Sequence, residues 1–272
     1  MAQNGLVPVT VARHGHRFWK RFTSYSFAAT RTDCAVVLQE LPQAAAAFPI
    51  VFKNTNQGIE PRAILSLSDS SSTPFVSPDG LWLASYVPSD LRCYPFQAEF
   101  ISNETADQTP LFRLSVDEAS GLISNNPRDE AFFSHNGTLS SALDDVRSFL
   151  QAREASKQAT LELCRQIEAL GLFEPMSSHN GIALPQGTLG VSTLRTKNLP
   201  VSEKLKLLES GSFFLVHAHH ISLSHCEWLN RVQQQIVQAN YLEKYTKNSD
   251  VSGFLCAMAN ARNDEILGIS GV

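Results

Sequence analysis

The 272-residue chain is 43% hydrophobic, enough to bury a substantial core without disulfide or metal staples. Its net charge of −4, from 22 basic and 26 acidic residues, provides no basic stripe, so no nucleic-acid partner is expected. The five cysteines (Cys34, Cys93, Cys164, Cys226 and Cys256) are widely spaced and form no Cys-x-x-Cys pair, which argues against a disulfide framework or structural zinc site and for a reducing compartment.

The segment after Met1 is polar and broken by Gly5 and Pro8, so it does not read as a signal peptide. No apolar run approaches the roughly 18 to 20 residues that a membrane span requires; the run Phe213 to Val216 stops at His217. No membrane span is expected, and a cytoplasmic location follows. Export to the cell surface by a signal-free route is the alternative. The charged fraction of 18% fits either a β-rich domain or a surface partly covered by a partner, and a homo-oligomer stays open.

The first half reads as short strands and turns. Val7 to Ala12, Ala35 to Leu38, Pro49 to Phe52, Ala63 to Leu67, Leu81 to Tyr86 and Leu111 to Val116 are short, and most are rich in β-formers. Between them, Asn56-Gln57-Gly58 and Ser77-Pro78-Asp79-Gly80 carry turn chemistry, the second suited to a type I turn feeding a hairpin. Ala44 to Ala47 suits one helical turn, and Ser68 to Thr73 a serine-rich loop tip.

The second half changes period. From Leu139, apolar residues recur at Leu143, Val146, Phe149/Leu150, Leu163, Ile167 and Leu170, which predicts a long helix with Thr138 or Ser140 as its N-cap. Gly171, Leu172 and Pro175 predict a Schellman-type stop. A hairpin around Gln186-Gly187 is expected within Ile182 to Leu194, then a short helix from Ser202 to Ser210 ended by Gly211. A second long helix is expected from about Ser212 to about Gln238. The apolar patch Phe254 to Met258 has no clear element type.

Four segments together resemble the bacterial SapC family. They are Glu40-Leu-Pro-Gln-Ala-Ala-Ala-Ala-Phe-Pro-Ile-Val-Phe52; Asp79-Gly-Leu-Trp-Leu-Ala-Ser-Tyr-Val-Pro-Ser-Asp-Leu-Arg-Cys-Tyr-Pro-Phe96; Leu114-Ser-Val-Asp-Glu-Ala-Ser120; and Leu170-Gly-Leu-Phe-Glu-Pro-Met176 with Ala218-His-His-Ile-Ser-Leu223. The second is the most specific. Cys93, Phe173 and His220 depart from the residues the pattern leads one to expect. By its name the family is associated with surface layers, and some members are labelled as peptide-transport components. The resemblance implies one domain over 1–240 and a C-terminal extension over 241–272.

Candidate site residues follow from side-chain chemistry. Trp82, Ala84 and Tyr86 alternate, so they share a face, with Tyr94 and Phe96 nearby; the cluster serves either as a peptide groove or as aromatic core. Arg92 either stacks on a ring while gripping a carboxylate, or pairs with Asp79, Asp90 or Asp117. Asp117, with Glu118 and Ser120, is a general base or a turn cap. His219 falls in an apolar stripe with Leu215, Val216, Leu223 and Cys226, which favours a neutral ring bonded to Asp117 or a backbone carbonyl over a ligand contact. His217 and His220 lie about 60° apart on one helix face, and His14 with His16 would share a strand face, but neither pair brings the carboxylate that a metal site calls for.

No phosphate loop, dinucleotide fingerprint or serine elbow is present. The expected fold is α+β, mainly antiparallel sheet in the N-terminal half, with two long helices and a short hairpin in the C-terminal half. The expected function is a non-catalytic binding or accessory protein that engages a peptide or protein through Trp82 to Phe96, with no cofactor and no metal. Trp82, Tyr86, Arg92, Tyr94, Asp117 and His219 are its candidate ligand-binding residues. The alternatives are a metal-dependent enzyme using the helix histidines and a surface-layer-associated component.

Overall fold

The computed structural model describes residues 5–68, 72–101 and 111–248. The chain divides into two compact units, 1–230 and 231–272, the second described only as helix up to Asn248. The apolar patch Phe254 to Met258 lies outside the described residues, as does part of the serine-rich loop tip.

The α+β expectation holds, and every registered strand pair is antiparallel. A five-stranded sheet runs in the order Phe173–Pro175, Thr188–Val191, Ile50–Thr55, Gly58–Ile64, Asp33–Ala35. Its centre is the hairpin in which Thr55 faces Gly58, a glycine with φ of 119° that L side chains rarely adopt. A three-stranded sheet joins Leu6–Pro8, Leu111–Asp117 and Phe96–Ile101, and a smaller one places Phe18–Trp19 between Ile123–Ser124 and Glu130–Ala131.

The long helix Ser141–Ala169 begins where the Ser140 hydroxyl accepts the Leu143 amide at 3.1 Å. It ends in the Schellman arrangement: the Leu172 amide reaches the Ile167 carbonyl, the Gly171 amide reaches Glu168, and Gly171 has φ of 64°. Its apolar face spans two cores. Leu143 and Leu150 join Trp19, Phe96, Val116 and Phe132 in the smaller, while Leu163, Cys164 and Ile167 join Phe48, Ile50, Phe52, Leu65 and Leu215 in the larger.

Several local expectations shift. Leu81 to Tyr86 keeps its alternation, with Leu81, Leu83 and Ser85 exposed, but pairs through a single bridge, Val76 with Trp82, rather than a ladder. It is the outer arm of a hairpin closed by the Ser77–Gly80 turn, where the Gly80 amide donates to the Ser77 carbonyl at 2.9 Å. Val11–His14 is a helical turn, so His14 is buried and His16 exposed, and the two share no face.

The short C-terminal hairpin is Ser178–His179 with Ile182–Ala183 rather than a pairing across Gln186-Gly187. Thr188–Val191 instead lies between Phe173–Pro175 and Ile50–Thr55, because sheet burial outweighs the local turn. The helix expected from Ser212 is interrupted after Ser222 and resumes as His225–Asn248. At the interruption the Ser222 hydroxyl donates to His219 O at 2.8 Å and Ser224 donates to Ile221 O at 2.8 Å, side-chain bonds that compete with the helical ladder.

Candidate functional site

Glu40, only 5% exposed, organises the aromatic segment. Its Oε1 accepts from the Val37 amide (3.1 Å) and the Ser89 hydroxyl (2.7 Å); Oε2 accepts from the Ser89 amide (2.7 Å) and the Tyr86 hydroxyl (2.7 Å). A buried carboxyl group needs such a set of donors to replace the water it has lost. The Tyr86 hydroxyl is held well above its ordinary range by burial and by the bond to Glu40.

Arg153 extends the network from the long helix. Its Nε donates to the Ser89 hydroxyl at 2.9 Å and its Nη2 to Asp90 at 3.0 Å, and Arg31 reaches the other Asp90 oxygen at 3.2 Å. Burial opposes the Arg153 charge, but Asp90 together with Cys93, Glu40 and Glu154 outweighs it and raises the guanidinium pKa. Arg92 touches this network only at the Tyr86 hydroxyl. Its guanidinium sits 5.7 Å from the Tyr86 ring centre and 5.3 Å from that of Phe149, and Nη2 donates to the Tyr86 hydroxyl at 3.2 Å. Asp90, one of its expected carboxylate partners, is held by Arg31 and Arg153 instead.

Two hollows flank the crosspiece Cys93-Tyr94-Pro95-Phe96, which contains a cis Tyr94–Pro95 bond. One, of about 410 Å3, is charged: Arg31, Asp90, Asp117, Arg153, Glu154 and Lys157 line it with Tyr94 and Gln97. The other, of about 370 Å3, is aromatic: Trp19, Phe22, Tyr94, Val146 and Phe149 line it with Arg21 and Arg92. The Tyr94 ring stacks on Phe27 at 3.9 Å. Cys93 borders both hollows, but burial pushes its thiol up to about 12, and the thiol lies 3.0 Å from the Ser89 carbonyl; it is not poised as a nucleophile. Neither Glu40 nor Ser89 lines either hollow.

The structure therefore brings Tyr86, Arg92 and Tyr94 together. Trp82 is close to them but half-buried: its indole N–H donates to the Tyr86 carbonyl at 2.8 Å, and its ring packs near Phe48, Phe75 and Tyr25. Asp117 lines the charged hollow while capping a 3-10 turn through the Ala119 amide at 2.9 Å. Its neighbour Glu118 is taken by a two-pronged contact from Arg13.

His219 stands apart. It is 1% exposed, with Nδ1 2.7 Å from the Ile50 carbonyl and Nε2 accepting the Val191 amide at 3.2 Å. Burial lowers its pKa to about 4, so the ring is neutral and donates its Nδ1–H to Ile50. The partner is thus a sheet carbonyl rather than Asp117, and no ring nitrogen is left for a ligand or metal. Among the described residues, no cluster of three or more histidine, cysteine or acidic groups is placed to hold a metal ion.

Sequence reasoning did not single out Glu40, Ser89, Asp90 or Arg153 as a unit. A legible signal existed for Arg153: it follows buried Leu150 by three positions and so falls on the core face of the helix, where an unpaired charge is not tolerated.

Fold and site define an α+β protein in which a proline-aromatic segment, pinned by a buried carboxylate, separates a charged hollow from an aromatic one. The family model SapC matches residues 9–229, and the chain belongs to the SapC family. Searches of curated proteins and of solved structures found no match. No helix among the described residues is long and apolar enough to cross a membrane.

Proposed function

We propose that this SapC-family chain is a non-catalytic binding or accessory protein that engages a peptide or protein partner at the Cys93–Phe96 crosspiece. One observation carries the reading: the acid, hydroxyl and phenol groups of the segment are occupied with one another, while the space on either side of it is open and chemically two-faced. An extended peptide sends successive side chains in opposite directions, which suits one charged and one aromatic hollow. Arg92 and Phe149 offer a stacked cation and ring to an apolar anchor, and the Arg153–Asp90–Arg31 set meets a charged group. The four described cysteines are buried and unbonded, which supports action in a reducing cytoplasm. The metal-enzyme alternative would rest on His217 and His220, and His220 Nε2 already lies 2.8 Å from the Val191 carbonyl, while both nitrogens of His219 are engaged.

The test is selection of binders from a random peptide library, then titration of the best peptide followed by tryptophan fluorescence. Arg92→Ala and Phe149→Ala are each expected to weaken 1:1 binding about tenfold. Affinity unchanged in both variants rejects the crosspiece as the site. A stoichiometric transition metal in the purified protein turns the balance to the enzyme, and open-ended polymers to the layer component.

A further inference from the structure

A third cavity, of about 330 Å3, opens among the helices Thr193–Asn198, Val201–Ser210 and Ser212–Ser222 and shares no lining residue with the hollows beside the crosspiece. Lys197, Lys204, His217 and His220 line it with the hydroxyl residues Thr193 and Thr196, over an apolar floor of Phe213 and Val216. No aspartate, glutamate or arginine is among its lining residues. The nearby acids are engaged elsewhere, Glu203 with Lys206 at 2.9 Å and Glu174 with Arg195 at 3.8 Å. Lys197 has no acidic partner among the described residues.

The wall is partly fixed. The Lys204 amine donates to the Lys197 carbonyl at 2.6 Å, which anchors it and leaves two of its three hydrogens. His220 Nε2 lies 2.8 Å from the Val191 carbonyl and 3.4 Å from the Thr193 hydroxyl, and the His217 ring stacks on Phe213 at 5.6 Å.

We propose that this cavity binds a phosphate-bearing ligand, whose anion meets the Lys197 and Lys204 amines and the Thr193 hydroxyl and whose apolar part lies on Phe213 and Val216. Two ammonium groups without a carboxylate, in a chain whose net charge is −4, make a local positive field that an anion relieves. Two ammonium point charges suit a phosphate monoester, with about −1.5 to −2 charge at neutral pH, better than the single charge of a carboxylate. The volume is that of a small-molecule site, for which roughly 300 to 1,000 Å3 is usual. Two of the same helices also carry exposed apolar side chains, Leu194 at 69%, Leu205 at 50% and Leu208 at 64%, so the phosphate can belong to a soluble phosphoester or to a lipid headgroup.

Calorimetric titration of the full chain with phenyl phosphate, beside benzoate, tests the site. Phenyl phosphate is expected to bind 1:1 and more tightly than benzoate, and Lys197→Gln to weaken it about tenfold or more without moving the thermal unfolding curve. Lys204→Gln is the second variant; it also removes the bond to the Lys197 carbonyl, so the Lys197→Gln result decides. Vesicles of phosphatidylglycerol, against phosphatidylcholine, separate the two sources. Capture by the anionic vesicles that is lost in Leu205→Ser/Leu208→Ser, while phenyl phosphate still binds, assigns the headgroup; phenyl phosphate binding without capture assigns a soluble phosphoester. Failure of both probes to bind, or binding unchanged in Lys197→Gln, overturns the proposal.

Discussion

Glu40 and His219 are both buried polar groups that tie distant segments together, yet they reach stability by opposite routes. Glu40 accepts hydrogen bonds from Val37, Tyr86 and Ser89, with Arg153 behind Ser89, so its carboxyl group is held in the interior by a surrounding set of donors. His219 stays neutral and uses its two ring nitrogens in opposite senses, donating to Ile50 and accepting from Val191. The first arrangement fails as a unit, because removing the carboxyl group orphans every donor around it. The second rests on two bonds and is sensitive to protons, because charging the ring breaks the acceptor half of the bridge.

The largest expected effect comes from Glu40→Ala, which leaves the Val37, Tyr86 and Ser89 donors without their acceptor, while Arg153 keeps Asp90. Urea unfolding is expected to show a loss of about 3 to 5 kcal/mol. A loss below about 1 kcal/mol means that water replaces the carboxylate easily and that the node is not what pins the segment.

Next is Trp82→Ala, which removes the ring from Phe48, Phe75 and Tyr25 and the N–H from the Tyr86 carbonyl. Its half-buried position places the expected cost at about 3 kcal/mol, read from the same unfolding curves. Unchanged stability assigns the ring to the surface of the cleft instead of to its support.

His219→Ala is expected to cost about 1 to 3 kcal/mol at neutral pH, and it carries a pH signature of its own. The folded His219 pKa, about 4, lies below the ordinary 6.5, so between those values the unfolded chain binds more protons. The His219 contribution is complete above pH 6.5 and is lost progressively as the pH falls toward 4, by on the order of 3 kcal/mol in all. His14, also pushed down by burial, slopes the same way. Stability measured from pH 7 to pH 4 is expected to fall less steeply in His219→Ala than in the parent; equal slopes contradict the neutral bridge. His219→Gln, which can donate and accept in turn, is expected to recover part of the neutral-pH loss but none of the slope.

The smallest stability effect is expected for Arg92→Ala. This exposed side chain rests on Tyr86 and Phe149, and its removal is expected to change unfolding by less than about 1 kcal/mol. A larger loss makes Arg92 part of the scaffold and weakens its use as a binding probe.

Much of this design is written locally. The period of Leu143, Leu150, Leu163 and Ile167, the serine at 140 and the glycine at 171 set the long helix and both of its ends, because capping and burial of one face depend on residues three or four apart. The turn at Ser77–Gly80, the alternation of Trp82 and Tyr86, the α+β class and the family likeness were legible for the same reason. So was the neutral burial of His219, since its apolar helical neighbours left the ring little choice.

Only the tertiary structure decided who meets whom. Glu40 and Ser89 are 49 positions apart, Ser89 and Arg153 are 64 apart, and His219 finds Ile50 across 169. Tertiary contacts likewise moved Thr188–Val191 out of a local hairpin and into the five-stranded sheet, and interrupted the last helix after Ser222, whose hydroxyl also accepts the Ile50 amide at 2.9 Å. Sequence specifies the period, cap and turn of each segment because those interactions span a few residues. The partners of a buried charge, and the hollows left beside it, depend on the packing of segments far apart in the chain, and no local pattern carries that information.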